Sequence, residues 1–421
     1  MWEQAGAIFD ARLEPRAGAP LAVAFSGGGD SMALLLAAAA WCRARSRPLL
    51  ALTVDHGLRP ESEAWAKACR LRAARLGVEH RTLTWEGGKP RTGLSAAARE
   101  ARHRLLADAA RRAGAAVILM GHTADDREEA AMMRREGSTV PTPRVWSPSP
   151  VWPQGRGLFI LRPLLDTRRA AIRAALSAPG ETWIDDPLNT DPLSARARAR
   201  AALDGGPITE GRADDGVAPR TLDVLEGPAG DLEMTRLRLA ETDGGALLGA
   251  ALVCAAGRSA PPRREAIGRL LARVGAGERF TATLAGARLD CDGARVRLAR
   301  DAGEHRRGRS GDLDLPSGEP RVWDGRFELT AGVVGSRVGL LAGRAARLPP
   351  DLRRALAGVP AAARPALPVV LFEGGDLELP TLRPGGKVAA RSLALARLAA
   401  ARGAIMDEAA LRRMAKTVRP S

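Results

Sequence analysis

The stretch Leu21-Ala22-Val23-Ala24-Phe25-Ser26-Gly27-Gly28-Gly29-Asp30-Ser31 decides the fold of the first part of the chain. Its first five residues form a short apolar run, which is typical of a strand buried in a parallel sheet. Three glycines follow, and the apolar run from Met32 to Cys42 favours a helix. Glycines let backbone N–H groups approach an anion, and the start of the helix presents its positive end to that anion. The sequence therefore predicts a phosphate-binding loop between a strand and a helix.

Alternating strand and helix patterns continue to about residue 135. Apolar runs at residues 49–54 and 117–120 predict two more strands, and residues 81–85 are a further candidate strand between them. The spacing of apolar residues between the strands predicts helices, the last over 124–135. Strands separated by helices imply right-handed crossovers. We therefore expect an α/β fold with a doubly wound parallel sheet.

Polar clusters follow two further predicted strands, namely Asp55-His56 and Gly121-His122-Thr123-Ala124-Asp125-Asp126. In a doubly wound sheet, ligands bind beyond the carboxyl ends of the strands. Thr123 or Asp125 alone could simply cap the helix that follows. Three polar loops at one edge of the sheet instead favour a single ligand-binding crevice.

Composition limits the function further. Lys and Arg outnumber Asp and Glu by 64 to 48, a net charge of +16, which favours a polyanionic partner, with a merely basic enzyme as the alternative. The four cysteines lie far apart without a C-x-x-C pair, so we expect no zinc site, iron–sulfur cluster or disulfide framework. The longest apolar run has eleven residues and the first residues lack a signal-peptide pattern, so we expect a cytoplasmic protein with no membrane association.

Shifts in composition divide the chain into three predicted domains. Residues 1–205, which contain the glycine loop, would form the first domain, and residues 206–231, rich in Gly, Pro and Asp, a linker. A small, mainly helical middle domain is expected over 232–305. An α+β C-terminal domain is expected over 312–421.

The glycine loop resembles the PP-loop of the ATP-pyrophosphatase superfamily, whose fold is adenine nucleotide alpha hydrolase-like. Within that superfamily, several motifs together resemble the tRNA(Ile)-lysidine synthetase family. They are Asp55-His56-Gly57-Leu58-Arg59, Ala98-Arg99-Glu100-Ala101-Arg102, His122-Thr123-Ala124-Asp125-Asp126, Arg162-Pro163-Leu164-Leu165, and Trp183-Ile184-Asp185-Asp186-Pro187 with Asn189. The resemblance covers residues 20–200, and beyond them only short strings such as Val322-Trp323-Asp324-Gly325-Arg326-Phe327 match.

The resemblance implies a reaction. ATP would adenylate the C2 carbonyl oxygen of the wobble cytidine in the CAU anticodon of an isoleucine tRNA, and free lysine would displace AMP to give lysidine. ATP and Mg²⁺ are the implied cofactors, tRNA and lysine the implied partners, and a homodimer is compatible with the pattern. The implied residues are as follows: Asp30, Asp125 and Asp126 for catalysis; Ser26, Gly27, Gly28, Gly29, Asp30, Ser31, Asp55 and His56 for ATP; Asp30 and Asp125 for Mg²⁺; Asp126 and Glu129 for lysine; and Arg99, Arg102, His122, Arg196, Arg198 and Arg200 for tRNA or phosphate.

Some residues depart from the family pattern. Arg127 stands where the family usually has Gln, and Ala130 replaces a usual Thr. The segment 137–157 is rich in Pro and contains Trp146 and Trp152, which could stack on unpaired bases or anchor the loop to the domain. Three alternatives stay open: a thiolating relative, an ATP-dependent amide synthetase for a small molecule, and a non-catalytic RNA-binding protein with a decayed loop.

Overall fold

The computed structural model describes residues 1–138, 140–177, 181–184, 195–203, 222–303 and 311–417. The chain divides into two compact units. The first comprises Met1–Ala218 together with Ile405–Arg412, and the second comprises Pro219–Ala404 together with Arg413–Ser421.

The first unit is built on a six-stranded sheet flanked by helices. Its strands are β1 (Leu21–Ala24), β2 (Leu49–Asp55), β3 (Glu79–Thr84), β4 (Val117–Leu119), β5 (Trp146–Pro148) and β6 (Phe159–Leu161). Its helices are α1 (Trp2–Arg12), α2 (Gly29–Arg43), α3 (Ser62–Arg75), α4 (Leu94–Arg112), α5 (Ala124–Arg135), α6 (Arg169–Ser177) and α7 (Ala195–Leu203). The strand order is β3-β2-β1-β4-β6-β5, and all pairs are parallel except β5 with β6. The predicted doubly wound parallel sheet is confirmed.

The central strands β1 and β4 are apolar because both faces of the sheet are covered. Ala22 and Ile118 pair in register and lie in one core cluster with Leu50 and Leu106. At the end of β4, a Cβ on Gly121 would lie 2.9 Å from the carbonyl oxygen of Asp30. Only glycine permits this approach, which brings the loop after β4 against the first turn of α2.

The tryptophans of the Pro-rich segment differ in their surroundings. Trp146 is buried, stacks on Phe159 with ring centroids 4.8 Å apart, and donates its Nε1–H to the carbonyl oxygen of Ile405 at 2.8 Å. Trp152 is partly buried. Of the two readings of this segment, the structure favours loop anchoring for Trp146, because its ring is enclosed.

The second unit contains antiparallel sheets and short helices. Its strands are β7 (Val224–Glu226), β8 (Leu232–Thr235), β9 (Arg279–Leu284), β10 (Ala287–Asp292), β11 (Arg295–Arg300), β12 (Leu313–Leu315), β13 (Arg321–Trp323), β14 (Phe327–Ala331), β15 (Ser336–Leu340), β16 (Pro368–Phe372), β17 (Leu377–Glu378) and β18 (Val388–Ser392). Its helices are α8 (Arg236–Leu239), α9 (Gly244–Ala256), α10 (Arg264–Gly275), α11 (Pro350–Leu356) and α12 (Ala394–Ala401), and α13 (Glu408–Thr417) begins in the first unit. The sheets run β7-β8-β11-β10-β9, β12-β15-β16-β17 and β13-β14-β18.

The middle part of the chain contains a sheet as well as helices. The helices expected there are present as α9 and α10, and β8, β9, β10 and β11 form a sheet against them. The sequence of residues 280–300 has a strand-like pattern, and β9, β10 and β11 lie there. Strands such as β9 alternate partly buried and exposed side chains.

The string Val322–Phe327 is a structural anchor in the second unit. Arg326 is fully buried, donates to the carbonyl oxygens of Ala229 at 2.6 Å and Ala366 at 2.8 Å, and pairs with Asp324 at 2.7 Å. A buried guanidinium is tolerated only when its donors are satisfied in this way.

In the part of the chain that the structure describes, no helix is long and apolar enough to cross a membrane. The four cysteines, Cys42, Cys69, Cys254 and Cys291, are buried free thiols.

A buried ion pair joins the segment Ile405–Arg412 to the rest of the first unit. Arg47 forms a fork with Glu408 at 2.7 and 2.8 Å, and both side chains are 0% exposed. The carboxylate also accepts from the backbone N–H of Glu14 at 3.0 Å and from Arg412 at 2.9 Å. Burial opposes ionisation of Glu408, but Arg47 outweighs it and holds the pKa of this carboxyl below its usual value.

We predict that Glu408→Gln destabilises the protein by about 3–5 kcal/mol at pH 7, because it leaves the Arg47 charge buried without its partner. The difference from the wild type should shrink as the pH falls through and below about 4.3, the ordinary glutamate pKa. In that range the unfolded chain binds the proton before the folded protein does, so the wild type loses the contribution of the pair. Urea unfolding at several pH values measures this.

Glu79→Gln is the matched control, since Glu79 forms an exposed pair with Arg81 at 2.7 Å. Exposed pairs contribute about 0–1 kcal/mol. Equal losses of stability in the two variants would contradict the role assigned to Glu408.

Candidate active site

The glycine loop is held by its own serines. Gly28 is the N-cap of α2, and the Ser31 hydroxyl donates to the Gly28 carbonyl oxygen at 2.9 Å and accepts from the Ser26 N–H at 3.2 Å. The hydroxyls of Ser26 and Ser31 lie 3.1 Å apart. The first N–H groups of a helix have no partner within the helix. The loop therefore presents backbone donors and two hydroxyls at the positive end of α2, which suits phosphate.

A short segment covers this loop. Gly27 has φ +82°, and a Cβ there would lie 2.6 Å from Cδ1 of Ile184 and 2.9 Å from Sγ of Cys69. The Ile184 N–H donates to the Gly27 carbonyl oxygen at 2.9 Å, and the ring of Trp183 lies 3.6 Å from the position of a Cβ on Gly29. The glycines thus serve the packing of the segment as well as the approach of a ligand. Asp185, Asp186, Pro187 and Asn189 lie outside the described residues.

Four carboxylates gather around Arg169, the first residue of α6. Its guanidinium lies 3.2 Å from Asp30, 3.4 Å from Glu129 and 3.7 Å from Asp126. Its backbone N–H donates to Asp125 at 2.8 Å. The residues that the sequence assigns to catalysis, metal binding and lysine binding therefore meet at one place.

Two of these carboxylates also fix helix ends. Thr123 is the N-cap of α5, and Asp126 accepts from its N–H at 2.8 Å and from its hydroxyl at 2.9 Å. Asp125 accepts from the first N–H of α6 instead. Of the two cap candidates that the sequence offers for α5, the structure selects Thr123. The Oδ1 atom of Asp126 faces Arg169.

Burial and charge set the electrostatics of this acidic cluster, defined as Asp30, Asp125, Asp126 and Glu129. Burial raises the pKa of Asp30, Arg169 lowers it, and the negative charges of Asp126 and Asp125 raise it further. Burial would lower the pKa of Arg169, but Asp126, Asp30 and Glu129 outweigh burial and raise it. The charges of Asp126 and Asp125 thus make Asp30 harder to ionise, and a cation bound at the cluster would offset their effect.

Three further arginines border the acidic cluster in close ion pairs. Arg168 forms a fork with Glu128 at 2.6 and 2.8 Å, and Arg200 of α7 donates to the fully buried Glu129 at 2.8 Å. Arg127, at the departure from the family pattern, pairs with Asp166 at 2.8 Å. Its charge is thus matched by a local partner.

A second group lies beyond β2. Asp55 accepts from the N–H of Gly57 at 2.8 Å, which shapes the turn, and His56 lies edge-on to Trp85 with ring centroids 5.9 Å apart. Lys89 lies over the Trp85 ring at 4.1 Å. Burial, followed by the charge of Arg102, lowers the pKa of His56. A neutral imidazole beside an indole suits an uncharged aromatic ring such as adenine.

A basic group lies on α4 and after β4. Arg162 donates to Nδ1 of His122 at 2.9 Å, so this nitrogen is an acceptor and His122 is neutral in this arrangement. His103 is buried, and burial followed by Arg102, Arg99 and Arg162 lowers its pKa to about 3. The positive charges of Arg99 and Arg102 therefore act on a common region. On α7, Arg198 is exposed, and the side chain of Arg196 is outside the described part of the chain.

Sequence reasoning missed Arg169, and it gave no role to Arg162. A signal for Arg169 exists, because a cation in the first turn of a helix is disfavoured by the helix dipole. An arginine that begins a helix therefore points to nearby carboxylates. For Arg162, the only signal is its place in the motif Arg162–Leu165.

Comparison with known proteins identifies a family for this chain. A family model described as a PP-loop domain matches residues 3–204. A tRNA(Ile)-lysidine synthase from Caulobacter vibrioides is 49% identical over 412 residues, 96% of this chain and 98% of that protein. Another from Hyphomonas neptunium is 40% identical over 318 residues, 71% of this chain and 85% of that protein.

Among solved structures, the U34-tRNA thiolase NcsA from Methanococcus maripaludis with its [4Fe-4S] cluster is similar at a TM-score of 0.41 and 16% identity, covering 48% of this chain and 71% of that one. That likeness is too low to bear on function. The Caulobacter relative spans nearly the whole chain at almost half identity, and on that basis the chain belongs to the tRNA(Ile)-lysidine synthase family.

Proposed function

We propose that this chain is an ATP-dependent ligase that joins lysine to C2 of the wobble cytidine in the CAU anticodon of isoleucine tRNA. The reaction passes through an adenylated tRNA and gives lysidine, AMP and pyrophosphate. The observation that carries the proposal is the acidic cluster beside the glycine loop, since it places cation-binding and phosphate-binding groups at one sheet edge. Family membership supplies the chemistry that these groups perform. Such work on tRNA belongs in the cytoplasm.

ATP binding follows from the loop and the family. The backbone donors of Ser26–Ser31 and the N-terminus of α2 hold the phosphates, and Asp55 and His56 border the adenine. As pyrophosphate leaves, fixed donors stabilise the negative charge that develops on it.

Asp30 and Asp125 would hold Mg²⁺. Among the described residues, no group of three or more side chains of the ligating types is arranged as a preformed metal site. Mg²⁺ needs only one or two carboxylates when phosphate oxygens and water complete its shell. Asp30 is partly buried beside two further carboxylates that raise its pKa in addition to burial, and this setting fits a divalent cation. When bound, the ion would neutralise charge on the phosphates.

Asp126 and Glu129 would hold an ammonium group of lysine. Their negative charge favours the protonated amine, so they aid binding and orientation more than deprotonation. The attacking nitrogen must lose its proton before it forms the new C–N bond. Glu129 is 1% exposed and pairs with two arginines, so its access to lysine depends on their positions.

Basic side chains would hold the tRNA. Arg99, Arg102 and His122 lie at the catalytic edge, and Arg196, Arg198 and Arg200 belong to α7. The net charge of +16 supports long-range attraction of RNA phosphates. We assign the chemistry to residues 1–205, the linker to 206–231, and grip on the tRNA body to the parts 232–305 and 312–421.

We predict that Asp30→Ala and Ser26→Ala each lower pyrophosphate release, measured with tRNA and lysine present, by roughly 100-fold or more. Both side chains lie where the phosphates and their cation would bind, and neither fills the core. Asp10→Asn is the control, since Asp10 lies on α1 in a half-exposed pair with Arg45, and an amide oxygen can still accept from Nε1–H of Trp41. Unchanged pyrophosphate release in both loop variants would refute the assignment of the loop.

Substitution of Asp126 and substitution of Asp125 should affect different half-reactions: the attack of lysine in the first case and the adenylation of the tRNA in the second. Asp126→Asn should raise the KM for lysine roughly 10- to 100-fold, because a hydrogen bond to a charged group contributes about 1.5–3 kcal/mol. The amide oxygen can still accept from Thr123, so α5 keeps its cap. Exchange of pyrophosphate into ATP, which reports adenylation of the tRNA, should persist.

Asp125→Asn should do the opposite, lowering that exchange with little change in the KM for lysine. If Asp126→Asn abolishes exchange at saturating ATP and tRNA, Asp126 acts in the first half-reaction and the two roles must be reversed.

A further inference from the structure

Arg169 is held less closely than the other arginines around the acidic cluster. Arg168, Arg200 and Arg127 each reach a carboxylate at 2.6–2.8 Å. Arg169 lies 3.2, 3.4 and 3.7 Å from three different carboxylates. Strong charge-assisted hydrogen bonds have lengths of about 2.7–2.9 Å. The guanidinium of Arg169 is therefore shared among three anions, and it makes no close fork with any of them.

The backbone of Arg169 is fixed independently of its side chain. Its N–H donates to Asp125 at 2.8 Å, and α6 is anchored by the buried Ile172 and Leu176. The side chain of Arg169 is 15% exposed, and its guanidinium lies at the end of a flexible chain of methylene groups. It can leave the acidic cluster by rotation about side-chain bonds while α6 stays in place.

Guanidinium groups are the cations that the described residues place at the acidic cluster. Arg169 and Arg200 face its carboxylates, and Arg168, whose fork is with Glu128, also lies 3.8 Å from Asp125. A compact ammonium with three donors can approach carboxylates more closely than a guanidinium that is stretched between them.

The two carboxylates that the proposed function assigns to lysine binding are among those that contact the guanidinium of Arg169. Asp126 and Glu129 both face its guanidinium, at opposite nitrogens. An ammonium of lysine bound to both carboxylates would therefore need the space in which that guanidinium lies.

We propose that Arg169 is an exchangeable counter-ion: its guanidinium holds the place of an ammonium group of lysine in the free enzyme, and lysine displaces it on binding. This rests on the proposed function. Without lysine, Arg169 keeps the buried carboxylates from repelling one another. The displacement weakens apparent lysine affinity, because only the fraction of enzyme with Arg169 withdrawn can accept the ligand.

The test compares lysine affinity in three variants of the full chain. Arg169→Met removes the charge and keeps much of the length, and Arg169→Lys keeps the charge. Arg173→Met is the matched control, because Arg173 is an exposed residue one turn further along α6. Equilibrium dialysis with labelled lysine, in the presence of Mg²⁺ and a non-hydrolysable ATP analogue, gives the dissociation constant, and lysidine formation gives the KM for lysine.

Arg169→Met should bind lysine between about 5-fold and about 150-fold more tightly than the wild type, the usual range for coupled binding events. Arg169→Lys and Arg173→Met should bind lysine about as the wild type does. Weaker or unchanged lysine binding in a folded Arg169→Met protein would contradict the displacement. Weaker binding would mean that Arg169 itself binds lysine, and unchanged binding would mean that its position is independent of lysine.

Stability gives a second measurement if Arg169→Met folds poorly. Lysine should raise the Tm of this variant more than it raises that of the wild type, because added ammonium replaces the missing guanidinium. An equal or smaller rise contradicts the exchange. If the wild type binds no lysine and forms no lysidine, both the proposed function and the displacement of Arg169 by lysine are refuted. If the wild type does both and Arg169→Met binds lysine no more tightly than the wild type, only the displacement is refuted.

Discussion

The first unit depends on the neutralisation of four carboxylates placed together at one sheet edge. Asp30, Asp125, Asp126 and Glu129 would repel one another in a partly buried site. Burial raises the pKa of Asp30, Arg169 lowers it, and the charges of Asp126 and Asp125 add to the increase. Arg169 and Arg200 offset part of this repulsion. Under the proposed function, lysine and Mg²⁺ are the further cations that the acidic cluster would bind.

Three helix N-termini make this arrangement possible. Asp30 lies in the first turn of α2, Asp125 and Asp126 lie in the first turn of α5, and Asp125 also accepts from the first N–H of α6. The positive ends of the helices stabilise carboxylates as well as phosphates. The close approach of Gly121 to Asp30 brings two of these ends together. One backbone constraint therefore places the phosphate loop beside the acidic cluster.

The sequence by itself determined the parallel sheet, the glycine loop and the polar residues at the ends of β1, β2 and β4. These signals are local: apolar runs of strand length, glycines at a strand-to-helix junction, and acidic residues at the start of a helix. Because the carboxyl ends of parallel strands meet at one edge, the topology alone was enough to bring Asp30 and Asp126 together.

Only the tertiary structure decided how these residues are paired. Thr123 and Asp126 together cap the N-terminus of α5, whereas Asp125 accepts a hydrogen bond from the first N–H of α6. The side chain of Arg169 contacts Asp30, which lies 139 positions away in the chain. The ion pair between Arg47 and Glu408 joins residues that are 361 positions apart in the chain. Local periodicity carries no information about such partners. An ion pair depends on where two side chains meet in space, and that is set by the packing of the whole unit.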